Sequence, residues 1–189
     1  MGGHSHNDAL SLELQYKKQD IFVDPGSGCY TSNPSIRNAF RSIKSHNSIF
    51  WDNLEESDLT KGLFLLFQEN NYKHSVNHTE HFVSFSGINQ YGDHWHSRKI
   101  KIYFHEDKIE ISDRVSHPHA RLSFNIIYPI ENLKLNSCTV GKSSWEWESR
   151  IEPRIEDNFY SPYYDKIIDS RRFIIPMDNN EHNLTIHLL

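Results

Sequence analysis

Residues 99–115 read KIKIYFHEDKIEISDRV, and this alternation decides the fold class. Ile100, Ile102 and Phe104 take turns with Lys101, Tyr103 and His105. A period of two puts apolar side chains on one face of an extended chain and polar ones on the other. Lys108–Val115 reads as a further strand. The same alternation stands near the start, where Leu10, Leu12 and Leu14 interleave with Ser11, Glu13 and Gln15. Short apolar runs predict strands over residues 20–24, 48–52, 63–68, 81–86, 122–127, 133–140, 144–149, 172–176 and 184–188. Asp24-Pro25-Gly26, Tyr91-Gly92-Asp93 and Asp178-Asn179-Asn180 supply turns between them.

Only residues 34–44 look helical, with Ile36, Phe40 and Ile43 on one face and Pro34 in the first turn after Ser32 or Asn33. Many short strands with one short helix predict an all-β fold, an antiparallel β-sandwich occupying residues 1–189 as one domain. Residues 150–165 are expected to form an irregular loop that packs or binds something.

Composition narrows the function. With 37% hydrophobic and 24% charged residues the chain is globular, and a net charge of -5 argues against a nucleic-acid partner. Cys29 and Cys138 have no metal-type spacing and read as two buried thiols. No apolar run approaches a membrane span, and no signal peptide is readable.

Chemistry concentrates at the start. His4-Ser5-His6-Asn7-Asp8 sets two imidazoles and a carboxylate two residues apart, on one face if the chain is extended. A structural histidine pair explains the same residues. Asp24 ends a strand before a tight turn, where it could reach a neighbouring strand or bond its own turn. His46 follows the helix, as a ligand or as a C-terminal cap. Two histidines and an aspartate suit Zn²⁺ with a fourth position open.

Elsewhere the plainer readings compete. His74, His78 and His81, His94 and His96, and His117 and His119 read as edge or loop histidines. Trp145 and Trp147 share a strand face as core, or could stack on sugars. Arg37 and Arg41, one turn apart, could bind an acidic glycan or anchor the helix in a buried ion pair.

Four blocks taken together carry a resemblance: residues 3–11 (GHSHNDALS), Val23-Asp24-Pro25-Gly26, Arg37-Asn38-x-Phe40-Arg41-Ser42, and Ser45-His46-Asn47-Ser48. In order and spacing they resemble the C-terminal domain of heparinase II/III-type polysaccharide lyases. Tyr160-Ser161-Pro162-x-Tyr164 is similar to a loop late in that domain, and Ser48 departs from the family's usual Thr. The resemblance implies a β-sandwich that packs against an N-terminal (α/α) toroid, with an acidic polysaccharide in the cleft between them. It implies that His6, Asp24 and His46 hold a structural zinc, that His4 faces substrate, and that Asp8 organises the segment locally.

Such enzymes cleave next to a uronic acid by β-elimination, using a tyrosine with an asparagine or histidine from the toroid. Only three residues precede His4, and the chain is expected to lack both the toroid and the first sandwich strands. It should then be inactive alone and should self-associate or dock through an exposed sheet edge. A bacterial periplasmic or secreted parent enzyme is implied. A non-catalytic carbohydrate-binding or assembly module is the alternative. A metal-dependent hydrolase would need strands alternating with helices, which this pattern lacks.

Overall fold

A computed structural model describes residues 5–61 and 72–189; His4 and the strand expected over 63–68 lie outside the described residues. In chain order, β1 (Leu14–Tyr16) and β2 (Gln19–Phe22) are followed by α1 (Pro34–Arg41), a 3-10 turn (Ile43–Ser45), β3 (Ile49–Phe50) and a second 3-10 turn (Leu59–Lys61). Then come β4 (Lys73–His78), β5 (Phe82–Tyr91), β6 (His94–Tyr103), β7 (Lys108–Val115), β8 (Arg121–Ile126) and β9 (Ile130–Glu131). The last are β10 (Ser137–Val140), β11 (Ser143–Trp147), β12 (Arg154–Tyr163), β13 (Lys166–Pro176) and β14 (Glu181–Leu188).

All pairings between these strands are antiparallel. An eight-stranded sheet runs β4-β5-β6-β7-β14-β11-β10-β9 and a four-stranded sheet runs β12-β13-β8-β3, with β1 and β2 as a separate hairpin. The antiparallel sandwich expected from the alternation is the observed fold. Burial follows the period of two: Ile109, Ile111 and Val115 of β7 and Leu184 and Ile186 of β14 point inward. Opposite them β8 is buried along most of its length, because it lies inside the small sheet, with the core on one face and Ile43, Phe50 and Ile174 clustered separately from that core.

The two sheets meet on aromatic rings. Trp145 is fully buried, with Phe22, Phe124 and Phe173 edge-on at 5.8, 5.3 and 5.8 Å between centroids. Its indole Nε1 donates to Ser143 Oγ at 2.9 Å, so the polar handle is satisfied inside the core. Trp147 is buried beside it, which settles both tryptophans as core. Cys29 and Cys138 are buried free thiols, and burial pushes Cys138 up to about 12.

Four local expectations change. Leu10 does not join a strand: it stands at φ +58 in a turn closed by Ser11 N–H donating to Asp8 O, and only Leu12, Leu14 and Tyr16 pack on the core. Helix α1 buries Arg37, Phe40 and Arg41 while Ile36 is 38% exposed, and Asn33 caps it by accepting from the Ser35 and Ile36 amides. Residues 150–165 contain the ten-residue strand β12, held to β13 by the cross-strand pairs Glu156–Arg172 and Asp157–Arg171. His96 is not an edge residue but is buried against Asp113.

Candidate functional site

The turn after β2 fixes Asp24. Its Oδ1 accepts from Gly26 N–H at 2.9 Å, and Pro25 O accepts from Ser161 N–H at 2.8 Å, tying the turn to the end of β12. Gly26 sits at φ +79, and a Cβ there would meet Ser161 O at 2.2 Å, so only glycine fits. The remaining oxygen, Oδ2, lies 2.8 Å from His46 Nδ1. Burial alone would raise the Asp24 carboxyl, yet the bond and charge of His46, helped by the Gly26 amide, hold it below the usual carboxylate range.

His46 follows the 3-10 turn and is fully buried, and its Nε2 has no hydrogen-bond partner among the described residues. The His6 ring lies 5.3 Å away between centroids, tilted by 51°. The structure therefore brings the three residues expected at the metal, His6, Asp24 and His46, close to one another from three separate segments. Asp8 is exposed, and its backbone carbonyl accepts from Ser11 N–H.

Two zinc ligands at about 2.0–2.2 Å in tetrahedral geometry stand roughly 3.3 Å apart. The 2.8 Å contact between Asp24 and His46 is a hydrogen bond instead, and among the described residues no group of three His, Cys, Asp or Glu stands in a metal-holding arrangement. The donor set still fits a zinc ion: an orphaned, fully buried ring nitrogen is costly unless it meets something. A carboxylate on the other ring nitrogen is the usual support of a metal-bound imidazole.

Arg37 and Arg41 are 8% and 2% exposed. Arg37 donates to Tyr30 O and Asn38 Oδ1, and Arg41 Nε donates to Ser5 O at 3.0 Å. Arg41 O in turn accepts from Asn7 N–H, so Arg41 holds the histidine segment with both its side chain and its backbone.

Sequence reading gave no structural role to the residues that knit these segments. Asn47, fully buried, donates from Nδ2 to Leu12 O and Val23 O at 2.8 and 2.9 Å and accepts from Asn125 N–H at 2.7 Å. Ser48 Oγ donates to Ala9 O, and Ser11 Oγ accepts from Asn47 N–H. Behind them Asp113 faces Arg98 at 2.8 and 3.1 Å and His96 Nε2 at 2.7 Å, all buried. A signal for this cluster existed: His96 and Arg98 are in phase with Ile100 and Ile102, and Asp113 with Ile109 and Ile111. Glu56, held by Asn89 Nδ2 at 3.0 Å, is pushed up to about 8 by burial and by the nearby Asp8 and Glu55 carboxylates.

A concavity of about 430 Å³ lies on the large sheet, between Ser86, Ser112, Lys99, Lys101 and Arg114. Glu110 and Glu181 stand against Lys101 and Arg114, which leaves no strong anion field there. Among the described residues, no helix is long and apolar enough to cross a membrane.

The family described as heparinase II/III-like, C-terminal, matches residues 1–187. No curated protein matches the sequence. Two solved structures of a heparinase III are similar, at 18% and 17% identity with TM-scores of 0.78 and 0.77. The match covers 98% of this chain and 31% and 30% of theirs. A heparan sulfate lyase from Pedobacter heparinus is similar at 14% identity and TM-score 0.75, over 97% of this chain and 31% of its own. These likenesses speak to the fold, and the chain spans about a third of the length of the structures it matches.

Proposed function

Because the chain belongs to the heparinase II/III-like family through its C-terminal domain, we propose that it forms the β-sheet half of a polysaccharide lyase that cleaves uronic-acid-containing glycans by β-elimination. The observation that carries this reading is the buried His46 imidazole, gripped by Asp24 at Nδ1, unpartnered at Nε2 among the described residues, and beside the His6 ring. In the proposed site His6, Asp24 and His46 hold a structural zinc, whose charge would lock three chain segments into one surface. With the bond to His46 closed, Asp24 orients that imidazole; as a direct ligand it would have to give up that bond.

β-Elimination needs the uronate carboxylate neutralised and a base at the carbon beside it. His4 is proposed to face the substrate from the segment that Arg41 anchors through Ser5. Arg37 and Arg41, being buried, would act on a bound uronate through their field rather than by contact. The base and acid would come from an (α/α) toroid, the proposed partner domain, with the acidic polysaccharide between the two. Among the described residues β4 is an edge strand of the large sheet, exposed along its length, and its Val76 is 61% exposed, which suits self-association. A bacterial periplasmic or secreted setting suits such an enzyme.

The test is metal analysis of the purified chain beside a variant with His6, Asp24 and His46 all replaced by Ala. About one zinc per chain is expected in the first and none in the second; equal contents defeat the site. Incubation with uronate glycans should give no unsaturated product from this chain alone, and clear turnover would refute the division of labour between the two domains.

A second reading, a non-catalytic carbohydrate-binding or assembly module, is favoured by one feature. Tyr164 is 61% exposed and stacks on Tyr30 at 5.2 Å and 19°, a flat aromatic platform beside the 70% exposed Tyr163. Glycan binding without turnover, even in the presence of a toroid domain, would select it.

A further inference from the structure

Arg98 lies far from the histidines in sequence and donates to both segments that carry them. Its Nη1 reaches Leu10 O and Asn47 O, each at 2.7 Å. Leu10 is four residues past His6, and Asn47 directly follows His46. The other side of the guanidinium is held as well: Nε and Nη2 grip both oxygens of Asp113, which His96 Nε2 also approaches at 2.7 Å. A planar fork held on one side by a buried carboxylate presents its remaining donor in a fixed direction.

Leu10 is where that fixed direction matters. A leucine at φ +58 occupies a backbone region that branched side chains avoid, and such a conformation persists only where its surroundings impose it. The structure shows two impositions. The Leu10 carbonyl is captured by Arg98, and its side chain lies over Gly87, where a Cβ would come within 2.5 Å of Leu10 Cδ2. Both come from neighbouring strands of the large sheet, Gly87 and Arg98 being paired residues of β5 and β6.

We infer that Arg98, oriented by Asp113 and His96, is a positioning residue for the His6–His46 site: it sets the spacing of the two imidazoles by bridging the Leu10 and Asn47 carbonyls. The inference rests on the metal-site reading above for its functional meaning, and on the hydrogen bonds for its mechanical one. Arg98 touches neither imidazole and acts only through the backbone.

The test uses the full chain with Arg98→Lys. The lysine keeps a buried cation against Asp113 but lacks the fork that reaches two carbonyls at once. Amide exchange is read residue by residue, and zinc affinity is read by competition with a chelator. Exchange at Asn7 and Ser11, whose amides close the histidine segment onto Arg41 and Asp8, should quicken at least about tenfold. Amides of β7 and β14 should keep the wild-type rate. Zinc affinity should fall about 10–100-fold, the usual loss when a supporting partner of a metal ligand is removed.

Unchanged exchange at Asn7 and Ser11 overturns the inference, as does a uniform rise across the sheets, which would mark a merely structural residue. Zinc affinity within twofold of wild type in the folded variant overturns it as well. If the wild type binds no zinc, the metal-site reading fails on its own, and the exchange pattern alone decides whether Arg98 positions the segment. Should Arg98→Lys not fold, Arg98→Gln with Asp113→Asn, which leaves neither of the two buried charges, is read by the same criteria.

Discussion

Replacing Glu56 by Gln should flatten the fall of stability with pH on the alkaline side of neutrality. Glu56 is pushed from 4.5 up to about 8 by burial among carboxylates, so the folded protein keeps a proton there that the unfolded chain has already released. Wherever the folded state binds the extra proton, stability declines as pH rises, here from the unfolded value through about 8. Between pH 7 and pH 9 the folded carboxyl gives up most of that proton, a loss of about 1.4 kcal/mol. Gln keeps an oxygen for Asn89 Nδ2 and has nothing to titrate. Urea unfolding of both proteins at the two pH values reads the effect as a double difference. Cys138, also raised, contributes equally to both proteins and cancels. Equal losses for wild type and Glu56→Gln over this interval would refute the assignment of a protonated carboxyl at this site.

Gly26→Ala should cost about 2 kcal/mol or more, since the new methyl must displace Ser161 O from 2.2 Å and adopt φ +79; an unchanged urea midpoint would contradict the close approach. On the acid side, burial holds His96 and His182 below their ordinary value, so both are neutral in the fold and take up protons on unfolding. Stability should therefore drop as pH falls below about 6.5, and His182→Gln should lose less between pH 7 and pH 5 than wild type; an equal loss would assign the slope elsewhere.

The alternation in Ile100–Ile102 and Lys108–Val115 announced the sheets because those strands have one face in the core. β12 gave no such signal: its pairing is carried by charges, Glu156 with Arg172 and Asp157 with Arg171, and its Phe159 and Tyr163 are exposed. The Leu10–Leu14 alternation misled for a different reason. Leu12 and Leu14 do pack on the core, but Leu10 is captured by Arg98 and turned out of the strand. A long-range hydrogen bond overrode a local period.

The site was legible in part. Asp24 and His46 do meet, and His6 lies beside them. The helix pattern suggested that Ile36 faced inward, whereas Arg37 and Arg41 do, because their guanidiniums reach backbone carbonyls inside the domain. Side chains that stitch segments together, Asn47 above all, carry no periodic signature, since their partners lie 24 to 78 residues away.

Those long separations bear on how the protein folds. Asn47 bonds to residues 12, 23 and 125, and its carbonyl accepts from Arg98. No stretch of chain short enough to fold early contains these partners, so the histidine surface can form only once both sheets have closed. A ligand bound there would be stabilising the whole domain, by RT ln(1 + [L]/Kd), rather than ordering one loop. Occupancy of the site and survival of the fold would then rise and fall together, and the global melting temperature becomes a gauge of what the site holds.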